Sequence, residues 1–221
     1  MAKAVKGNRT YNSPLRREQA AATRRQILEA AQRLFEQQGY PATSVSAIAE
    51  EAGVSLKTVY LVFETKSGLL RALWQYVLVG EDDDAPVARR DWYQAVLQEG
   101  DPERQLQLNA RNSRVVKERA AALMRVMRDA AGGDADLDAL WQLIQVEFHA
   151  NQAVIVKLLH DRGALRKGLG VTRGADMLWT VNHPDVWQLL VVDRGWSPKQ
   201  YEQWLAETSC AQLLRPRSER R

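Results

Sequence analysis

Apolar residues recur every third or fourth position along almost the whole chain, and no segment alternates apolar with polar between turn residues as a half-buried strand does. Each such stripe leaves water by packing on another helix, so the expected fold is all-α. Ile27, Leu28, Ala31, Leu34 and Phe35 mark a helix from about Glu18 to Gln38, with Gly39 as a left-handed stop and Pro41 preventing resumption. Thr43 or Ser44 caps a short helix that buries Val45, Ile48, Ala49 and Ala52, and Gly53 ends it. Ser55 caps a second from about Leu56 to Phe63, and a longer one follows from Lys66 to about Val79. Two short helices joined through Ala52-Gly53-Val54-Ser55 have the pattern of a helix-turn-helix.

The acidic run Glu81 to Asp84 reads as a solvated link. Beyond it the pattern predicts helices from about Pro86 to Glu99, from Asp101 to about Ala131 with a bend near the middle, and from Asp134 or Asp136 to about Asp161. A further helix runs from Thr172 to about Asn182, where Pro184 either kinks it or starts a new one reaching Arg194. Ser197 caps the last, Pro198 to about Leu214. The organisation expected is a basic flexible arm at 1–20, a helix-turn-helix domain at 21–80, a larger helical domain at 81–214 and a disordered tail at 215–221.

Composition narrows the chemistry. A single cysteine, Cys210, and three scattered histidines leave no Cys-rich zinc site and little for any metal, so neither metal nor cofactor is expected and a reducing, cytoplasmic compartment is. No run approaches the roughly 18 apolar residues of a membrane span, and the basic start lacks the apolar stretch of a secretory signal. Glu147 and His149 are two apart, on different helix faces, and there is neither a Gly-x-Ser-x-Gly elbow nor a phosphate-binding glycine loop, so the chain does not read as an enzyme. The formal charge is +4, but it is unevenly placed: residues 1–25 carry +6 and 215–221 carry +3, while 26–75 sum to −1. Any affinity of the helix-turn-helix for nucleic acid therefore rests on where particular side chains stand, not on bulk charge.

The stretch TSVSAIAEEAGVSLKTVYLVFETKSGLL (43 to 70), preceded by RRQILEAA (24 to 31), Phe35 and Gly39-Tyr40, resembles the N-terminal DNA-binding domain of the TetR family of transcriptional regulators. The resemblance covers about Arg24 to Leu78; Arg194-Gly195-Trp196-Ser197-Pro198 with Tyr201 and Trp204 resembles the closing helix of many bacterial members. On a helix entering the major groove, Val59 and Phe63 pack while Lys57, Thr58 and Tyr60 project toward DNA, next to the cap Ser55. The resemblance implies that Thr43, Ser44 and Lys66 clamp the phosphate backbone from helix N-termini. Leu56 and Lys57 stand where many relatives have Lys-Gly, and with Ser46 they are candidates for setting operator preference; Val62 replaces the histidine of a Tyr-x-His-Phe pattern. Arg24 and Arg25 are either phosphate contacts or simply solvated.

For the second half, the resemblance implies a ligand cavity among the helices between about Pro86 and Asp161 and a two-fold dimer interface on the last two helical segments. Trp92, Met124, Met127, Trp141, Phe148 and Trp179 are candidate walls, and Gln145, His149, Gln152, Asn182 and His183 candidate polar anchors, for an apolar or aromatic effector. Core packing explains the same residues, and the sequence leaves both roles open. Trp187, Trp204 and Leu213 suit packing or dimer contact. The implied function is a ligand-responsive regulator, expected to repress, that binds an inverted-repeat double-stranded DNA operator as a homodimer. The alternative is a helical DNA-organising protein whose second half only dimerises.

Overall fold

The computed structural model describes residues 14–79 and 87–216, and every element there longer than a single bridge is helical. α1 spans Pro14–Ala42, α2 Val45–Glu51, α3 Leu56–Phe63 and α4 Lys66–Val79. After a 3-10 turn at Val87–Arg89 come α5 Asp91–Gln98, α6 Pro102–Ala131 and α7 Ala135–Asp161. α8 Val171–Val181, α9 Pro184–Trp187 and α10 Pro198–Leu213 follow, a π-helical turn at Gln188–Asp193 continuing α9. The expected arm up to residue 13, the acidic link with Pro86, and the tail from residue 217 lie outside the described residues.

The predicted caps form as short-range chemistry dictates. Ser44 accepts the Ala47 N–H, Ser55 the Thr58 N–H and Asp134 the N–H groups of Asp136 and Leu137, while Ser197 and Gln200 make a reciprocal capping box. Each satisfies a donor that the first helical turn leaves unpaired, worth about 1 kcal/mol.

Three local expectations are corrected, and the alternative left open at Pro184 is decided. Gly39 has φ 80° but ψ 164°, an extended rather than helical geometry, so the chain turns sharply and then winds a last short turn through Pro41 and Ala42. Proline early in a turn loses no hydrogen bond, and so it does not stop this one. In place of one helix from Pro86 to Glu99 the chain makes the 3-10 turn and then α5. At Pro184 the helix breaks and restarts: His183 caps α9 by accepting the Asp185 N–H, and proline takes the first position. Arg215 is not loose, because its N–H donates to Ala164 O at 3.0 Å and its Nε to Leu165 O at 2.7 Å.

α6, a single helix over Pro102–Ala131, is the spine of the molecule. Its N-terminal half packs with α5, α7 and α8 around Leu106, Val96, Ile155, Val156, Leu159 and Leu178. Its C-terminal half, through Ala120, Leu123, Val126 and Met127, shares one core with Ile27, Leu28, Ala31 and Phe35 of α1 and with Leu69, Leu70, Leu73 and Trp74 of α4. Deleting one of these fully buried side chains down to alanine costs about 2–5 kcal/mol. The first four helices thus keep their geometry partly by leaning on α6 and α7. α10 closes the far side, with Tyr201 and Leu205 against Ala110 and Trp187.

Candidate nucleic-acid interface and internal cavity

α3 is amphipathic in a way that separates packing from presentation. Val59 and Phe63, four apart, are buried, and the opposite face shows Leu56 at 42%, Tyr60 at 47% and Leu61 at 80% exposure, together with exposed Lys57. Large apolar side chains held in water on one short helix mark an interaction surface. Leu61 is not among the residues that the sequence pattern marks, although its i+4 relation to Lys57 places it on that face. Ser44 and Ser46 are exposed at the head of α2, Ser44 as its cap. Ser55 Oγ lies 2.8 Å from Thr58 Oγ1, so the two hydroxyls are oriented together at the head of α3. Arg24 reaches over from α1 with its guanidinium 4.9 Å from the centre of the Phe63 ring, and exposed Arg25 approaches Glu29 at 3.9 Å.

Two expected phosphate clamps are turned away. Thr43 is 1% exposed, and its hydroxyl donates to Gly39 O at 2.7 Å, fastening the turn after α1. The Lys66 ammonium folds back over the Tyr40 ring, 4.0 Å from its centre, and donates to Tyr40 O at 2.5 Å. Burial there pulls its pKa below the ordinary lysine value. Tyr40 in turn donates to Asp134 Oδ2 at 3.4 Å, and burial with that carboxylate raises the phenol to about 12. Ser67 donates to Asp136 Oδ2 at 3.2 Å. These contacts tie the start of α4 to the end of α1 and the start of α7.

The joint between α3 and α4 is tight. Glu64 ends α3 with φ 62°, unusual for a side chain of its size, and only Thr65 separates it from α4. A Cβ at Gly68 would collide with the Phe63 carbonyl oxygen, so glycine lets the first turn of α4 sit directly on the last turn of α3. α3 therefore travels with α4.

At its other end α4 enters the wall of a cavity of about 110 Å³. Trp74 and Leu78 of α4, Trp92 and Tyr93 of α5, Met124 and Val116 of α6, and Phe148 of α7 give it an apolar lining. Asn109, Asn112, Ser113, Asn151, Gln152, Lys117 and the carboxylate of Glu147 supply the polar groups. Tyr93 donates to Asn151 O at 2.7 Å, and burial lifts its phenol to about 12.

Residues 27–73, which include α2, α3 and their packing partners, match the family model described as bacterial regulatory proteins, tetR family. The transcriptional regulator AcrR of Shigella flexneri is 34% identical over 114 residues, half of each chain. The likeness to the TetR family is carried in sequence by residues 27–73. The chain spans about half the length of that curated relative, so the likeness in sequence is concentrated in one part of the molecule. In fold it reaches further. NalD, the secondary repressor of the MexAB-OprM multidrug efflux pump in Pseudomonas aeruginosa, superposes with a TM-score of 0.69 at 22% identity, over 90% of this chain and 98% of that one. SmeT, the repressor of the Stenotrophomonas maltophilia multidrug efflux pump SmeDEF, in its triclosan complex, gives 0.71 at 21% identity, over 89% and 93%.

The structure gathers some of the expected pocket residues and disperses others. Trp92, Met124, Phe148 and Gln152 line the cavity. Met127 does not; it is fully buried in the core shared by α1, α4 and α6. Trp141 faces a small separate depression with Arg128 and Gln188. His149 pairs with Asp176 at 2.9 Å on the surface, Trp179 stacks edgewise between His149 and His183, and His183 is hydrogen-bonded to Gln145 at 3.2 Å. Burial pulls the His183 pKa below the ordinary imidazole value, which favours the neutral ring. The sequence pattern does not single out Trp74, Asn109 or, above all, Lys117. That lysine sits in register with Ala110, Ala120, Met124 and Met127 on the buried stripe of α6, which is the signal that exposes it.

Proposed function

We propose that the chain is an effector-controlled DNA-binding regulator, acting as a repressor, whose α3 enters the major groove of an inverted-repeat operator. The observation that carries this reading is that one helix, α4, has Trp74 and Leu78 in the cavity wall and its first turn locked to α3 through Gly68. A molecule filling the cavity pushes on α4 and displaces α3. In a homodimer that displacement changes the separation of two recognition helices, which must match half-sites about one helical turn apart. A coupling of about 1–3 kcal/mol weakens operator affinity some 5- to 150-fold.

Within this reading Leu56, Lys57, Thr58, Tyr60 and Leu61 meet the bases and nearby phosphates, Ser46 joins Leu56 and Lys57 in setting preference, and Ser44, Ser55, Arg24 and Arg25 hold the backbone. The domain limits carry over as 21–80 for DNA binding and 81–214 for sensing and dimerisation. For the dimer, α10 already packs Tyr201, Leu205 and Leu213 inside its own chain, whereas Leu143, Val146 and Val154 of α7 and Leu189 and Val192 of the π-helical turn stand exposed. A second copy covering these residues extends the expected interface beyond the last two segments.

Selection of bound sequences from random DNA supplies the operator, and fluorescence anisotropy then measures its affinity. Alanine at Leu56, Lys57 or Ser46 shifts the selected sequence. A compound that binds the purified protein weakens operator binding by the factor above, and Leu78→Ala reduces that factor. Operator affinity indifferent to every bound compound would instead favour a DNA-organising protein whose second half only dimerises.

A further inference from the structure

Lys117 is an unusual wall for an apolar cavity. It is 5% exposed, its ammonium donates to Asn182 Oδ1 at 2.7 Å, and among the described residues no carboxylate is within ion-pair distance of it. Aromatic rings stand near, Tyr201 at 5.5 Å and Phe148 at 5.9 Å from Nζ, too weak a partner to balance a buried charge. Its neighbours form a neutral amide network: Asn182 and Asn109 both donate to Gln152 Oε1, at 3.5 and 3.3 Å. An ammonium has three N–H donors, and one is used here. The other titratable or charged groups around it are Glu147 on α7, His183 and Asp185 at the head of α9, Tyr201 on α10 and Tyr93 on α5; Asp185 is engaged by Arg128 and His183.

Resting on the effector reading above, we propose that the cavity takes a small organic acid, a carboxylate on a single apolar ring, with the acid group against Lys117 and the ring among Trp92, Phe148, Met124 and Trp74. The charge of the ligand supplies the counterion that the protein does not place against Lys117, and Ser113 with the second amide hydrogen of Asn112, whose first goes to Trp92 O at 2.8 Å, can bond the second carboxylate oxygen or a ring substituent. Size limits the ligand to a single ring: an apolar cavity of about 150 Å³ accommodates benzene, and this one, about 110 Å³, has to widen to admit a ring with an acid group. A quaternary ammonium of the same size meets like charge wherever the amine is protonated, below about pH 7, and is excluded there. Burial lowers the Lys117 pKa to about 7, so above that value the free protein holds the amine largely neutral, and an incoming carboxylate draws a proton onto it.

Isothermal titration of the full chain tests this with benzoate and salicylate, the neutral benzamide and benzyl alcohol, and benzyltrimethylammonium. The acids are expected to bind at least about tenfold tighter than the neutral compounds, the coupling of one close charge pair, and the ammonium not at all at about pH 6. Titrations at pH 8 in buffers of differing ionisation enthalpy should show uptake of about one proton per acid bound, falling toward zero at pH 6. Lys117→Met removes the acid preference and the proton uptake. Acids and amides binding equally to the wild-type protein, acid binding without proton uptake at pH 8, or an unaltered acid preference in Lys117→Met would each overturn the assignment. Neutral compounds that bind without an acid preference leave the cavity reading standing and remove only this one; a wild-type protein that takes none of the compounds removes both.

Discussion

A lysine ammonium taken out of water with no carboxylate beside it destabilises the folded state, and Lys117 makes that destabilisation depend on pH. Its folded pKa, about 7, lies below the ordinary lysine value, so between the two the unfolded chain binds more protons than the folded one. Stability contributed through this group therefore rises as pH increases from 7 toward 10, by at most about 1.4 kcal/mol per unit. Urea midpoints measured at pH 7, 8 and 9 should climb in the wild-type protein more steeply than in Lys117→Met, and the variant should be the more stable of the two at pH 7 because a neutral chain of similar length replaces a buried charge. Parallel pH profiles for the two proteins would contradict the burial of a titrating amine at this position. Thr43 shows the opposite case, a polar side chain whose hydrogen bond is complete inside the fold, so its role is to hold the turn and not to meet solvent.

At the level of elements, the junction of α3 with α4 is the part most sensitive to a small change. Two residues, Glu64 and Thr65, separate the helices, and Gly68 lets their backbones touch. Gly68→Ala inserts a methyl against a carbonyl oxygen that is fixed in a helix, so the two helices must part. Operator affinity is expected to fall by about tenfold or more, an overpacking cost of about 1–3 kcal/mol, while occupancy of the cavity by a bound compound stays within a few-fold of wild type. An operator affinity unchanged in Gly68→Ala would show that the placement of α3 does not depend on this contact.

The whole molecule is organised around α6, which packs on α1 and α4 with one half and on α5, α7 and α8 with the other. α4 spans the distance between the cavity wall and α3, the path that the proposed control of operator binding uses. Val146, 66% exposed on α7, is a position where a charge leaves the single chain intact and opposes a dimer. Val146→Asp should lower the assembly mass in analytical ultracentrifugation from two chains to one, with little change in helical signal. Salt reports on the arm in the same way: removing residues 1–13, which carry Lys3, Lys6 and Arg9, should flatten the salt dependence of operator binding by about 0.9 for each phosphate that the shortened chain no longer neutralises. An identical slope assigns the arm no role in holding phosphate.

What the order of residues settles without the fold is what short-range physics controls. Helical periodicity, the caps Ser44, Ser55, Asp134 and Ser197, and the bounds of α3 and α4 follow from neighbours within four residues, so they are legible in the sequence. The face of α3 that meets solvent is legible for the same reason, because Val59 and Phe63 define its underside. Which side chains share a space is decided only in three dimensions. Thr43 and Lys66 stand at helix starts where a phosphate could be held, yet their partners, Gly39 O and Tyr40, become available only once α1 turns and α4 returns to it. Met127, Trp141 and Trp179 have the composition of a pocket wall, but the angle at which α6 meets α1, α4 and α7 places them elsewhere. Lys117 is in register with the buried stripe of α6, but what surrounds it is decided by the fold: α7, α9 and α10 close over it and place no carboxylate within ion-pair distance.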